Sequence, residues 1–108
     1  MKEYKEYSKD SVLLIEGQHD NNGLKIGLWK EYYKSGKIAA IELYQKGKLH
    51  GLYKSYHENG NIWSTGNYNQ GNKEGKFEIY DQQGKLILIQ HYSQDKLINQ
   101  VTPININK

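Results

Sequence analysis

The 108-residue sequence contains no cysteine, no arginine and only one proline. Without cysteine there is no disulfide and no thiolate chemistry, and a small fold without cross-links suits a reducing compartment. Recognition of phosphates and base edges usually relies on the planar arginine fork. A net charge of +3 carried by fifteen lysines therefore predicts a solvated surface and no nucleic-acid site.

Long hydrophobic runs are also missing. The apolar run near the N-terminus, Val12 to Ile15, is too short for a signal sequence or a membrane span, so we expect a cytoplasmic protein. Ten tyrosines and two tryptophans must instead supply most of the apolar area, because each ring can bury about 150 to 250 Å². We expect a core of stacked tyrosines.

What the sequence does contain is a tandem repeat of 24 residues. An aromatic residue stands two places after the first glycine of each copy, and a branched aliphatic residue stands two places after the second. Recurrence at a fixed period of this size indicates one supersecondary unit that is copied and stacked. The recurring columns are Gly27, Gly51 and Gly75; Trp29, Tyr53 and Phe77; Tyr32, Tyr56 and Tyr80; Gly36, Gly60 and Gly84; Ile38, Ile62 and Leu86; and Tyr44, Tyr68 and Tyr92.

Each copy divides into two segments that end at turns, most of which carry glycine. Segments of about seven residues, rich in tyrosine, isoleucine and tryptophan, are typical of strands in an antiparallel meander and are too short for an ordinary helix. We predict an all-β fold: an open, twisted sheet of about nine strands built from β-hairpin repeats of about 24 residues. The predicted single domain, 1–108, comprises a degenerate repeat at 1–26, repeats at 27–50, 51–74 and 75–98, and an edge strand at 99–104.

Both ends of the array depart from the pattern. Asp10 takes the place of Gly36 when the degenerate repeat is laid over the repeat at 27–50 at an offset of 26. At the end of the third regular copy, Asp95 and Asn99 replace turn glycines. Aspartate and asparagine tolerate the left-handed conformation. We therefore expect all these turns to persist.

The last strand is expected to continue the register, with Val101 in the aromatic column and Ile104 in the tyrosine column. Pro103 cannot donate a hydrogen bond to a neighbouring strand, which suits an edge strand. We expect residues 105–108 to fray.

The length of the turn between the two strands of a repeat decides which columns share a face. A two-residue turn would pair Tyr33 with Ile38, whereas a three-residue loop ending at Gly36 pairs Tyr32 with Ile38. We prefer the longer loop, because it collects the columns of Tyr32, Ile38 and Tyr44 on one face. The column of Trp29 then lies on the other face.

The pattern G-x-[aromatic]-x-x-Y-x-x-x-G-x-[aliphatic]-x5-Y-x-x-G, present at 27–47 and 51–71, resembles the bacterial variant of the MORN repeat, which occurs in proteins labelled YwqK-family antitoxins. The resemblance covers roughly residues 23–98. It implies β-hairpin repeats, no catalytic residues and a protein-binding role, in which family members neutralise a toxin or act as immunity proteins. Eukaryotic MORN repeats are also associated with membranes and phospholipids. The motif defines a scaffold, so no functional residue transfers.

Catalytic and metal-binding patterns are weak. The four histidines have no metal-ligand spacing and no cysteine joins them, although the expected register puts His57 and His91 on one face. The glycines fall singly at turns and open no phosphate-binding helix. We predict no metal, no cofactor and no enzymatic activity.

The residues that break the repetition are not dictated by the scaffold, so they are the candidates for a binding face. Trp63 is the most suggestive, since tryptophan is enriched at interface hot spots. Its alternative role is structural: it fills a gap over Ala39 or covers Gly66. The candidate protein-binding residues are Glu31, Tyr33, His57, Trp63, Asn67 and His91.

The preferred hypothesis is a non-catalytic protein-binding module, an antitoxin or immunity protein whose partner is a toxin or effector encoded nearby. The alternative is peripheral binding to anionic membranes, to which basic residues contribute about 1 kcal/mol each. A third possibility is self-association through the open sheet edges. The lysines of the membrane hypothesis are Lys2, Lys5, Lys9, Lys25, Lys30, Lys34 and Lys37.

Overall fold

Three-residue loops join the two strands within each repeat. In the computed structural model, which describes residues 1–103, Gly36 has a φ of 93° and its N–H donates to the carbonyl of Tyr33 at 2.9 Å. Tyr32 pairs with Ile38. The next two copies repeat this arrangement. The three-residue loop with a left-handed glycine is therefore confirmed.

Two-residue turns connect the second strand of each of the repeats at 27–50, 51–74 and 75–98 to the strand that follows it. Lys46 and Gly47 have φ values of 49° and 85°. Positive φ at both central residues is the hairpin geometry that matches the twist of the flanking strands. In the third copy Gln94 and Asp95 take φ values of 49° and 71°. Asp95 thus fills the left-handed position in place of glycine, as predicted.

These turns fold the chain into one antiparallel sheet whose nine strands pair in chain order, which confirms the open all-β meander. The sheet measures 49 × 33 × 15 Å, the dimensions of a single layer. Ile104 and residues 105–108 lie outside the described residues. The strands are β1 (Lys2–Tyr7), β2 (Leu13–His19), β3 (Lys25–Tyr32), β4 (Ile38–Gln45), β5 (Lys48–Tyr56), β6 (Ile62–Asn69), β7 (Asn72–Tyr80), β8 (Leu86–Ser93) and β9 (Lys96–Val101).

The first hairpin corrects the alignment of the degenerate copy. Ser11, not Asp10, has the positive φ, 65°, and its N–H donates to the carbonyl of Ser8 at 3.0 Å. Gly36 makes the equivalent bond in the second copy, so the structural offset is 36 − 11 = 25 residues. Tyr7 falls on a tyrosine at either offset, Tyr33 at 26 and Tyr32 at 25, so the tyrosine match left the register open and the loop geometry decides it.

A β-bulge follows each three-residue loop. Tyr32 pairs with Ile38 but Glu31 pairs with Ala40, so Ala39 has no partner on β3. The same bulge occurs after the corresponding loops of the other copies. An unpaired residue reverses the alternation of side chains along its strand.

The bulge decides which columns share a face, and it makes the predicted grouping wrong. Tyr32 and Ile38 share one face as expected, but Tyr44 lies on the other face with Trp29. The prediction counted the loop and missed the bulge. We call the surface that carries the following rings the aromatic face, and the other surface the opposite face: Trp29, Tyr44, Tyr53, Tyr68, Phe77 and Tyr92.

Rings on the aromatic face pack edge to face across neighbouring strands. Centroid distances are 6.0 Å for Trp29 and Tyr44, 5.7 Å for Tyr68 and Phe77, and 5.4 Å for Phe77 and Tyr92. Such geometry adds roughly 0.5 to 1.5 kcal/mol per pair beyond area burial. The core is therefore not a stack of tyrosines: the tyrosines of this face pack edge to face, and the most buried rings belong to the column of Trp29.

Two strand glycines make room for the buried rings. A Cβ on Gly17 would lie 2.1 Å from the ring of Trp29, and a Cβ on Gly66 would lie 2.3 Å from the ring of Phe77. Trp29 and Phe77 are 2% and 5% exposed, and with Ala40 they are the only buried apolar side chains among residues 1–103. The small core thus depends on rings lying directly on backbone.

The last strand, β9, does not place Val101 in the aromatic column. Asn99 does not adopt a positive φ, and the bulge in β9 is a single residue, Ile98. In β5 three residues stand opposite one at the equivalent place. The shorter bulge puts Gln100 opposite Gln90 on the aromatic face and Val101 on the opposite face. The predictions for Asn99 and Val101 were therefore wrong.

We expect Gly66→Ala to lower the free energy of unfolding by about 2 kcal/mol, because its methyl group overlaps the Phe77 ring and overpacking costs roughly 1 to 3 kcal/mol. Phe77→Leu in the same chain should restore part of the loss. Urea denaturation of both single variants and the double variant measures the coupling. Asn67→Ala is the control and should change stability by less than about 0.5 kcal/mol. Strictly additive effects would contradict the packing described.

Ser11→Gly should raise the free energy of unfolding by about 0.5 to 1 kcal/mol. Glycine removes the strain of the left-handed conformation, which for other residues costs about 1 to 2 kcal/mol, and part of that gain is offset by a more flexible unfolded chain. Ser35→Gly is the control, because Ser35 has no positive φ to relieve. A thermal melt in which Ser11→Gly loses stability would refute the register of the first hairpin.

Candidate binding site on the aromatic face

The residue before each three-residue loop closes its loop or ties two repeats together. Ser8 and Asp81 have short side chains, and their oxygens accept hydrogen bonds from backbone N–H groups of their own loops, at 3.2 Å from Val12 and 2.9 Å from Lys85. These two side chains are thereby occupied within the turn.

Tyr33 and His57 occupy the same column but are too long to close their own loops. The hydroxyl of Tyr33 donates to the carbonyl of Tyr56, and Nε2 of His57 lies 2.9 Å from the carbonyl of Tyr80. Because a carbonyl only accepts, this bond requires the proton on Nε2. Each side chain therefore reaches from one copy to the next and is held in a fixed position.

Trp63 is the unpaired bulge residue of β6 and remains 48% exposed. Its ring stacks on His57 with a centroid distance of 4.9 Å and an interplanar angle of 14°. Gly66 is covered by Phe77, so Trp63 does not cover it. Trp63 instead borders a depression that it shares with Ala39. The stacked pair forms a rigid, solvent-facing aromatic surface.

Small side chains form the floor of that depression. Ala40, Ser55 and Ser64 pair in one row across three strands, and the two serine hydroxyls are 2.6 Å apart. Farther along the same row stand the longer side chains of Ile15 and Ile79. The sheet surface is therefore low at its centre, and we call this space, of about 380 Å³, the central depression.

Aromatic rings and a carboxylate surround the central depression. Tyr33, Tyr53 and Trp63 form its walls, and Glu31 stands at one end. Glu42 is the neighbour of Glu31 on the aromatic face, where it pairs across β3 and β5. The walls thus combine flat aromatic rings with carboxyl groups.

Glu42 has a raised pKa. Burial, the largest cause, together with hydrogen bonding and charge repulsion from Glu31 raises the pKa of Glu42 to about 7, while Lys25 acts in the other direction. Like charges in a partly desolvated site disfavour double ionisation. The Glu42 carboxyl therefore changes its charge near neutral pH.

Two lysines lie over rings of the aromatic face. Nζ of Lys25 is 4.6 Å from the ring centroid of Trp29 and 4.8 Å from that of Tyr44. Nζ of Lys73 takes the same position over the equivalent rings, at 5.4 Å from the ring centroid of Phe77 and 4.8 Å from that of Tyr92. Such contacts contribute about 0.5 to 2 kcal/mol. Both lysines are thus part of the ring packing.

The lysines of the membrane hypothesis do not form one surface. Lys25 belongs to the aromatic face, Lys5 and Lys30 lie on the opposite face, and Lys9 and Lys34 are in turns. An anionic bilayer contacts one side of a flat sheet at a time. The basic half of the sequence is consequently divided between two surfaces.

The structure brings together four of the six candidate residues. Glu31, Tyr33 and Trp63 line the central depression and His57 stacks on Trp63. Asn67 pairs with Leu52 and His91 pairs with Lys76, which places both on the opposite face. The expectation that His57 and His91 share a face was wrong, because the unpaired Ile87 of β8 reverses the side of the residues that follow it, His91 among them.

Sequence reasoning missed two residues of the site. Tyr53 belongs to the recurring aromatic column of the scaffold, and an acid on a strand, such as Glu42, ordinarily belongs to a solvated polar face. A signal for Glu42 existed: its column holds Gly66 and Gln90 in the next two copies. A carboxylate in a column without another acid is not required by the repeat.

In residues 1–103, no three His, Asp or Glu side chains converge to hold a metal ion. The same residues contain no helix that could span a bilayer. What the arrangement offers chemically is recognition through rings, hydroxyls and carboxylates.

A single-layer sheet with a 24-residue hairpin period and a fixed aromatic surface defines a β-hairpin repeat protein. The chain belongs to the MORN repeat variant family, whose model matches residues 25–46, 49–70 and 73–94. MORN repeats are generally non-catalytic modules that bind proteins or membranes. No curated protein matches the chain.

Replacing Glu42 by glutamine should make stability less dependent on pH. The folded-state pKa of about 7 exceeds the ordinary 4.5, so protonation of Glu42 stabilises the fold. That contribution is fully present below about pH 4.5 and is lost as the pH rises through about 7. Glutamine stays neutral throughout. The free energy of unfolding of Glu42→Gln relative to that of the wild type should therefore be higher at pH 8 than at pH 5, by on the order of 1 kcal/mol after solvent screening.

Denaturant titrations at the two pH values measure this difference. Glu58→Gln, in an exposed loop, is the control and should show no such change with pH. Parallel curves for wild type and Glu42→Gln would show that the pair is not coupled in solution.

Proposed function

We propose that this chain is a non-catalytic protein-binding module that docks its partner on the aromatic face around Trp63. The observation that carries the proposal is the His57–Trp63 stack: a large ring that is 48% exposed yet held in place by a second ring. Tryptophans at the centre of interfaces carry a large share of binding energy. A ring that is already ordered loses little entropy on binding.

The surroundings of the stack support the same surface. His57 is hydrogen-bonded to the backbone of the next copy. The central depression lies beside Trp63, and Tyr33 and Tyr53 form its two other aromatic walls. Hot-spot rings bind best next to a recess that excludes water. The stack and the recess together offer both a protrusion and a pocket to a partner.

As the finer proposal, the partner is a toxin or effector protein encoded beside this gene, and the chain acts as its antitoxin or immunity protein. The motif resemblance supports this role, since bacterial proteins with this repeat variant carry that label. Neutralisation would follow from steric cover by a sheet 49 Å long and 33 Å wide. This role requires no reacting group on the module itself.

The test of the surface is calorimetry between this chain and the purified product of the neighbouring gene. Trp63→Ala should weaken binding by at least about tenfold, which is the usual effect of truncating a hot-spot ring. Leu28→Ala is the matched control, because Leu28 is 47% exposed on the opposite face. Loss of binding in Leu28→Ala with normal binding in Trp63→Ala would refute the aromatic face.

Two further outcomes concern the partner. Absence of a complex at micromolar concentration, or a complex that leaves the toxicity of the partner unchanged, would overturn the antitoxin role. Salt-sensitive sedimentation with phosphatidylserine vesicles, in place of a protein complex, would favour the membrane alternative.

A further inference from the structure

We infer that the central depression receives an arginine side chain of the protein partner, whose guanidinium contacts Glu31 and Glu42 and lies against the aromatic walls. This inference rests on the proposed function, because it assigns the chemistry of one contact within the same docking surface. It adds a charge requirement that a stacked tryptophan alone does not impose.

The shape of the surface leaves room for a side chain from outside. Ala40, Ser55 and Ser64 form a low floor in a row that carries the longer side chains of Ile15 and Ile79 farther out on its two sides. Ala40 is only 6% exposed, so the floor is closed by the sheet itself. An entering side chain therefore meets a solid base and lateral walls.

Among residues 1–103, the carboxyl groups at the end of the depression have no ion-pair partner. Neither Glu31 nor Glu42 forms an ion pair in the described part of the chain, where the one ion pair joins Lys76 and Glu78 at 3.7 Å. Lys25 is the cation whose charge lowers the pKa of Glu42, and its ammonium group lies over the rings of Trp29 and Tyr44. A cation from outside would complete the electrostatics of the site.

The walls favour arginine over lysine. Tyr53, Tyr33 and Trp63 present flat rings, and a planar guanidinium stacks on such rings while its N–H fork binds carboxylates in pairs. A lysine ammonium is compact and strongly hydrated, and it matches only one acceptor well. An apolar side chain would leave the carboxylates buried without a partner.

Proton release links this contact to pH. Glu42, whose pKa is raised to about 7, faces Glu31 and Lys25 from β3 and Tyr53 from β5, and Tyr44 is its neighbour on β4. A bound cation favours the ionised form, so binding should release a proton below pH 7. The affinity for a guanidinium should therefore rise by about five- to tenfold between pH 6 and pH 8, as the charged fraction of Glu42 increases.

The test uses the blocked tripeptide acetyl-Gly-Arg-Gly-amide and nuclear magnetic resonance of the full chain. We expect saturable shifts of the Trp63 indole N–H and the Ser55 and Ser64 amides, with a dissociation constant in the millimolar range. The lysine tripeptide should bind at least about threefold more weakly, and the citrulline tripeptide, which has the same shape without the charge, should give no saturable shift.

Variants separate the contact from general electrostatics. Glu42→Gln should weaken binding of the arginine peptide by at least about fivefold at pH 8 and remove its pH dependence. Glu78→Gln removes a carboxylate of the opposite face that is already paired with Lys76, so it should leave binding unchanged. Equal weakening by both variants would mean that only net charge matters, which would overturn the inference.

The outcome is independent of the partner test. Absence of saturable shifts with the arginine peptide up to about 20 mM, or equal binding of the citrulline peptide, would overturn the arginine contact while leaving Trp63 as the docking anchor. Conversely, loss of the partner complex in calorimetry would refute the proposed function without changing the peptide result.

Discussion

Aromatic rings that pack against their own sheet hold this structure together. A sheet 15 Å thick has no second layer among the described residues, so its apolar groups must be covered from within the layer. Trp29 lies over Gly17 and Phe77 lies over Gly66, where backbone replaces the missing second layer. Burial of one such ring stabilises by roughly 1.5 to 3 kcal/mol. These two strand glycines are therefore as much a part of the core as the rings.

Turns were predictable from the sequence, and the faces of the sheet were not. Turn geometry is carried by single residue types, so a glycine at Gly36 and an aspartate at Asp95 could be assigned by their tolerance of positive φ. The bulge at Ala39 has no such marker, because alanine suits ordinary strands as well. Whether the ladder skips a residue depends on which packing of rings across strands is better, and that is a property of the whole sheet.

The candidate site shows the same division. Glu31, Tyr33, His57 and Trp63 could be found because they break the repeat, and breaking the repeat is visible in one sequence. Asn67 and His91 also break the repeat, but they lie on the opposite face, because the face on which a residue lies depends on the bulges that precede it in its strand. Tyr53 serves the scaffold and the site together, so no rule that separates repeated from variable columns could have selected it.

The unpaired bulge position gives each hairpin one side chain that takes no part in strand pairing. Ala39, Trp63 and Ile87 occupy it in successive copies, with very different sizes and with no change in the turns beside them. Mutations there escape the constraints that preserve the scaffold. Binding preference can therefore diversify during evolution by altering one residue per copy, and gene duplication of a hairpin would add a further independently variable contact.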